Sequence, residues 1–107
     1  MDTNKFFQHH STIPVVVKDK DTGKVLHMAF MNQQALEKTI ETGEAWYCSR
    51  SNGKLWKKRS EQKQTVVSIY VDCDNDSLLM KVHQTGNACH KGKSSCFHRR
   101  IWPESES

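Results

Sequence analysis

No apolar run in this 107-residue chain exceeds four or five residues, Ala45-Trp46-Tyr47-Cys48 being typical. No segment is therefore long enough to cross a bilayer as a helix. The opening Met1-Asp2-Thr3-Asn4-Lys5 has no apolar stretch behind a basic start, so the expectation is a cytoplasmic protein without a secretory signal. Glycine (5) and proline (2) are scarce, and no internal repeat, low-complexity tract or linker interrupts the chain. Close cysteine pairs are missing as well. Cys73, Cys89 and Cys96 are separated by 15 and six residues, unlike the paired spacing of a zinc ribbon. Neither His-x-Glu nor Pro-Cys-x-x-Cys occurs, which disfavours a cytidine-deaminase type of site.

What is present suits one small domain. Hydrophobic residues make up 36% and charged residues 26%, too apolar for a disordered chain and sufficient for a single core. The formal charge of +4, with six histidines uncounted, favours an anionic partner. The β-branched Ile13-Pro14-Val15-Val16-Val17 predicts a first strand, with Pro14 placing its start at an edge or terminus. Asp21-Thr22-Gly23 predicts a turn into a second strand over 25–31, completing a hairpin. Asn32 reads as the N-cap of a helix through Thr42, with Ala35, Leu36, Thr39 and Ile40 on one face and Gly43 as its stop. Strands over 45–49 and 55–58 flank an Asn52-Gly53 hairpin turn. Two more, over 65–71 and 78–82, flank an acidic turn; residues 84–100 read as loop and 103–107 as a tail. The expectation is a small, strand-rich α+β domain of about six strands and one main helix.

The chemistry-bearing residues lie late in the chain. Three cysteine ligands with a fourth position free is the form of a catalytic zinc site. Cys48, among Trp46 and Tyr47, reads instead as a small buried hydrophobe. Asp72-Cys73-Asp74-Asn75-Asp76 is either a solvated turn or a hard-cation site. An EF-hand is disfavoured because its sixth-position glycine and closing glutamate are absent. His90 is a further zinc ligand, a surface residue or a proton acceptor matched to neutral pH. Lys91, Lys93, Arg99 and Arg100 offer either a phosphate contact or a solvated basic face.

Taken together, several ordered blocks resemble the phosphoribosyl-AMP cyclohydrolase family of histidine biosynthesis over about 12–100, as a single domain within 1–107. They are Val25-Leu26-His27-Met28-Ala29-Phe30-Met31-Asn32, Thr42-Gly43-Glu44-Ala45, Ser49-Arg50-Ser51, Leu55-Trp56-Lys57-Lys58, the acidic turn with Leu78-Leu79, Gln84-Thr85-Gly86, Ala88-Cys89-His90 and Ser95-Cys96-Phe97. The resemblance implies a homodimer with two shared active sites, Zn²⁺ held by Cys73 of one subunit and Cys89 and Cys96 of the other, and Mg²⁺ held by Asp72, Asp74 and Asp76. It implies His90 as general base, and it makes Arg50, Ser51, Trp56 and Lys91 the substrate-binding candidates. The implied reaction adds water at an adenine ring carbon of phosphoribosyl-AMP and opens the ring. The chain departs from the family pattern at Arg59-Ser60-Glu61-Gln62-Lys63-Gln64, about two residues shorter and without glycine, and at Asn52, where arginine is common. That leaves the metal ligands intact and alters the substrate pocket. Two other readings stay open: a related hydrolase acting on a different nucleotide or heterocycle, and a non-catalytic zinc module binding nucleic acid through its basic charge and Trp46, Trp56 and Trp102.

Overall fold

The computed structural model describes residues 2–103, so the expected tail lies outside the described residues from position 104 onward. The described residues form six strands and one α-helix: β1 (Ile13–Asp19), β2 (Val25–Met31), α1 (Gln33–Thr42), β3 (Tyr47–Cys48), β4 (Leu55–Trp56), β5 (Gln64–Val71) and β6 (Leu78–Gln84). Two single 3-10 turns, Asn4–Phe6 and Ser60–Gln62, complete the pattern. The small α+β architecture is as the sequence implies.

The main sheet has the order β2-β1-β6-β5. β1 and β2 form the expected antiparallel hairpin, and β5 and β6 pair antiparallel across the acidic turn. The link between the two hairpins is the parallel pairing of β1 with β6, Val15 opposite Leu78 and Val17 opposite Met80. β1 is therefore a central strand, and Pro14 is tolerated because it stands at the strand's beginning, before the β6 ladder starts at Val15. Ile13, Val15, Val17, Met80 and Val82 alternate onto the buried face and form the centre of the core.

Helix α1 begins where expected: Asn32 caps it by accepting from the Ala35 N–H (2.8 Å), and Gly43 ends it in the left-handed conformation at φ 75°. Ala35, Leu36 and Thr39 face the core, whereas Ile40 is 45% exposed, a correction to the expected face. Ile40 instead borders an apolar cavity with Leu36 and the outer residues of β5. Thr39 does what a fourth apolar residue would not: its hydroxyl donates to Ala35 O (2.8 Å) and accepts from Trp46 N–H (2.9 Å), which fixes the entry to β3. The β3–β4 hairpin is shorter than expected, two residues a side, and turns at Gly53 with φ 72°. Cys48 is buried, as expected of a small hydrophobe.

Candidate functional site

A β-bulge sets the position of the cysteine-bearing segment. In the β1–β2 ladder Val17 pairs with His27 and Lys18 with Val25, so Leu26 has no partner across the ladder. A bulge re-aims backbone groups that a regular ladder would consume. The Leu26 carbonyl accepts from Cys96 N–H at 2.7 Å, and the buried Ser95 hydroxyl donates to Val25 O at 2.7 Å. The loop 85–100, without regular secondary structure, is thereby hung from the sheet's own backbone.

His27 is buried by the regular alternation it shares with Ala29 and Met31, and the bulge adds Leu26 beside it. His27 Nε2 lies 3.0 Å from the Gln64 amide nitrogen and 3.4 Å from the Tyr47 hydroxyl, and Tyr47 in turn donates to Gln64 Oε1. Gln64 also donates to Gln84 Oε1 at 2.8 Å. Burial first, and the Lys58 ammonium second, hold the His27 ring down to about 4, so it is neutral at pH 7. Burial likewise pushes the Tyr47 hydroxyl up. Sequence reasoning assigned no role to His27, Tyr47 or Gln64; the alternation that puts His27 on the face of Ala29 and Met31 was the available signal.

Within the loop, Cys89 N–H donates to Lys93 O (3.1 Å) and Gly92 N–H to Cys89 O (3.0 Å), closing a tight turn around His90 and Lys91. The Cys89 sulfur accepts from Lys91 N–H at 3.4 Å, and the Cys96 thiol lies near enough to influence it. The Lys91 N–H is the main cause that draws the Cys89 thiol down, while burial pushes Cys96 up. The structure thus brings Cys89 and Cys96 together, with His90 exposed on the turn between them. Lys58 braces the segment, its ammonium donating to Ala88 O at 2.9 Å.

Cys73 does not join them. It is exposed in the acidic turn, and among the described residues the one set of three metal-ligating groups near enough to share an ion is Asp72, Asp74 and Asp76, within 4.8 Å of one another. Asp72 organises that turn by accepting from the N–H groups of Asp76 (2.9 Å) and Ser77 (3.3 Å). The Asp76 N–H is the main cause that holds the Asp72 carboxyl low, and the hydrogen bond to Asp72 pushes Asp76 up. Two adjoining thiols suit a soft divalent ion, and three converging carboxylates suit a hard one. The donor chemistry of both sets fits the ions expected from the sequence.

Of the substrate-binding candidates, Arg50 borders a cavity of about 770 Å³ with Phe30 and Asp76, its guanidinium 4.8 Å above the Phe30 ring. Ser51 is exposed, 3.0 Å from the Ser49 hydroxyl, and Trp56 packs on Tyr47 at 4.8 Å between ring centroids. Lys91 sits apart from these, on the cysteine turn. Neither Ser51, Trp56 nor Lys91 lines the Arg50 cavity. Trp102 is 83% exposed and Trp46 half-buried.

A sequence model described as Phosphoribosyl-AMP cyclohydrolase matches residues 27–98, which hold every cysteine, the acidic turn and His90. The chain belongs to the phosphoribosyl-AMP cyclohydrolase family. It is 54% identical over 98 residues to the Phosphoribosyl-AMP cyclohydrolase of Rhodopseudomonas palustris (strain TIE-1), covering 89% of this chain and 65% of that protein. Likeness to the proteins of the same description from Rhodospirillum rubrum is 47% (94% of this chain, 71% of the relative) and from Methanococcoides burtonii 50% (94% and 84%). The chain thus spans just under two thirds of the Rhodopseudomonas relative's length. The phosphoribosyl-AMP cyclohydrolase match begins inside β2 and includes the segment 59–64. That segment forms a 3-10 turn packed against the base of the cysteine loop: Gln62 Nε2 donates to Asn87 O (2.9 Å), and Thr85 N–H to Lys63 O (2.8 Å).

Proposed function

We propose that this chain hydrolyses 1-(5-phosphoribosyl)-AMP, opening the adenine ring in histidine biosynthesis, as a homodimer with shared zinc- and magnesium-dependent sites. The observation that carries the reading is the pairing of Cys89 with Cys96 around an exposed His90, within the span matched by the family. Cys89 and Cys96 of one subunit, with Cys73 from the other, would hold zinc; Asp72, Asp74 and Asp76 would hold magnesium. When bound, zinc supplies Lewis acidity that makes water a better nucleophile near neutral pH.

The exposure of Cys73 and its separation from the cysteine pair support a ligand given from one copy to the other. So does the open edge of β5. Gly43 and Ala45 hydrogen-bond the strand's first residues, but Val67, Tyr70 and Val71 stay 38–55% exposed beside apolar cavities of about 490 and 400 Å³. An apolar strand edge of this kind is a template for a second copy.

His90 accepts a proton from the attacking water, whose oxygen bonds to the ring carbon bearing the amino group. The bond from that carbon to the ribosyl-bearing nitrogen breaks, and the proton held by His90 passes to the departing nitrogen. The carbon retains its amino group and becomes a carboxamide, so one water is consumed and nothing else is needed. Arg50 provides a charge for the substrate's phosphates.

The test is metal analysis of purified protein combined with an ultraviolet assay of phosphoribosyl-AMP opening. Wild-type protein is expected to carry zinc and turn the substrate over; Cys89→Ser and Cys96→Ser are expected to lose both together. A Cys89→Ser protein that is metal-free and fully active overturns the ligand assignment, and turnover of another nucleotide alone overturns the substrate.

A further inference from the structure

A substrate with two phosphates needs two anion contacts, and the structure removes one obvious provider. The segment 59–64 has no glycine, and its Gln62 and Lys63 N–H groups are taken by Arg59 O and Ser60 O, so these amides are not free for phosphate. A different place offers donors. The cavity of about 770 Å³ beside Arg50 lies in the range of small-ligand pockets, roughly 300–1,000 Å³. Its wall opposite the sheet is the amino-terminal segment, which contributes His9, His10, Ser11 and Thr12.

We propose that His9 and His10, together with Arg50, form a subsite for a phosphate monoester of the nucleotide. Among the described residues, none of the three side chains makes an ion pair or a hydrogen bond, so their N–H groups are available. The Arg50 guanidinium carbon lies 4.8 Å from the centre of the Phe30 ring, and a guanidinium offers the forked donors that phosphate oxygens match. An imidazole presents at least one N–H donor in either protonation state. Ser11 and Thr12 add hydroxyls that complete a polar wall.

Asp76 borders the same cavity, and His9 and His10 also border a smaller one of about 220 Å³ with Asp74 and Asp76. Bare carboxylates there repel an anion, so without a cation on them the attraction comes from the histidine and arginine side. His9 and His10 precede residues 27–98, the span matched by the family model. The inference rests on the proposed function for the identity of the nucleotide.

The experiment uses the full chain and a His9→Ala/His10→Ala double variant. The probes are AMP and ribose 5-phosphate, with adenosine, ribose and inorganic phosphate as controls, measured by calorimetry, and phosphoribosyl-AMP kinetics. The expected result is a rise in KM of about tenfold with kcat within about twofold, as for one or two lost charge-assisted hydrogen bonds. AMP or ribose 5-phosphate should weaken by a similar factor, while adenosine and ribose are unaffected. Unchanged KM with unchanged probe affinities overturns the subsite, as does a fall in kcat at constant KM. Inorganic phosphate binding as tightly as the esters, and lost with them, overturns the assignment to substrate in favour of a free-anion site. If the esters bind through the histidines but phosphoribosyl-AMP is not opened, the subsite stands and the proposed activity falls.

Discussion

His27 and His90 show how differently one residue type behaves in a single small domain. His27 is buried, neutral and held between Gln64 and Tyr47. With its pKa lowered from 6.5 to about 4, the unfolded chain takes up a proton before the folded one does as pH falls. Folding stability is therefore complete above about pH 6.5 and declines from there toward pH 4. Between pH 7 and 5 the loss from this group is about 2 kcal/mol. Urea denaturation at the two pH values should show that loss in the wild type and little of it in His27→Gln. His90, exposed between the paired cysteines, is the opposite case. His90→Ala should keep zinc and the fold while lowering turnover by about 10²–10⁴-fold, measured as kcat for phosphoribosyl-AMP. An unchanged rate would deprive His90 of the base role. His90, Cys89 and Cys96 stood out in the sequence because reactive residue types cluster there; His27 did not, because its partners Tyr47 and Gln64 lie 20 and 37 residues away along the chain.

Among the elements, those governed by local rules were readable. Asn32 and Gly43 bound α1 as capping chemistry requires, and Asn52-Gly53 turns its hairpin. The parallel β1–β6 pairing was not readable, since it joins strands separated by the helix, a hairpin and β5. Nor was the service of segment 59–64 as a brace. Gly86 is the joint of that brace: at φ +65° it passes so close to Glu61 that an added Cβ would lie 2.6 Å from the Glu61 carbonyl oxygen. Gly92 also has positive φ (+81°), yet nothing lies within 4 Å of its absent Cβ. Gly92→Ala should therefore cost about 1–2 kcal/mol, the strain of a left-handed residue. Gly86→Ala should cost clearly more in the same denaturation experiment and should loosen metal held by the following Cys89. Equal costs would mean that the Glu61 backbone yields freely.

At the scale of the whole molecule, the cysteine pair and Cys73 occupy different regions of one chain. The sequence showed three thiols but no geometry between them, and the expectation of a shared site came from family resemblance. Mixing Cys73→Ser chains with Cys89→Ser chains tests it directly, since each mixed dimer retains one site with all its ligands. Partial recovery of activity on mixing, against none for either variant alone, is the expected outcome; no recovery would argue for a site built within one subunit. The separation of Cys73 from its partners carries a kinetic corollary. If isolated chains are inert, the rate in a dilute cell extract would climb with the square of the chain's abundance, so that a modest change in its synthesis would be magnified in flux.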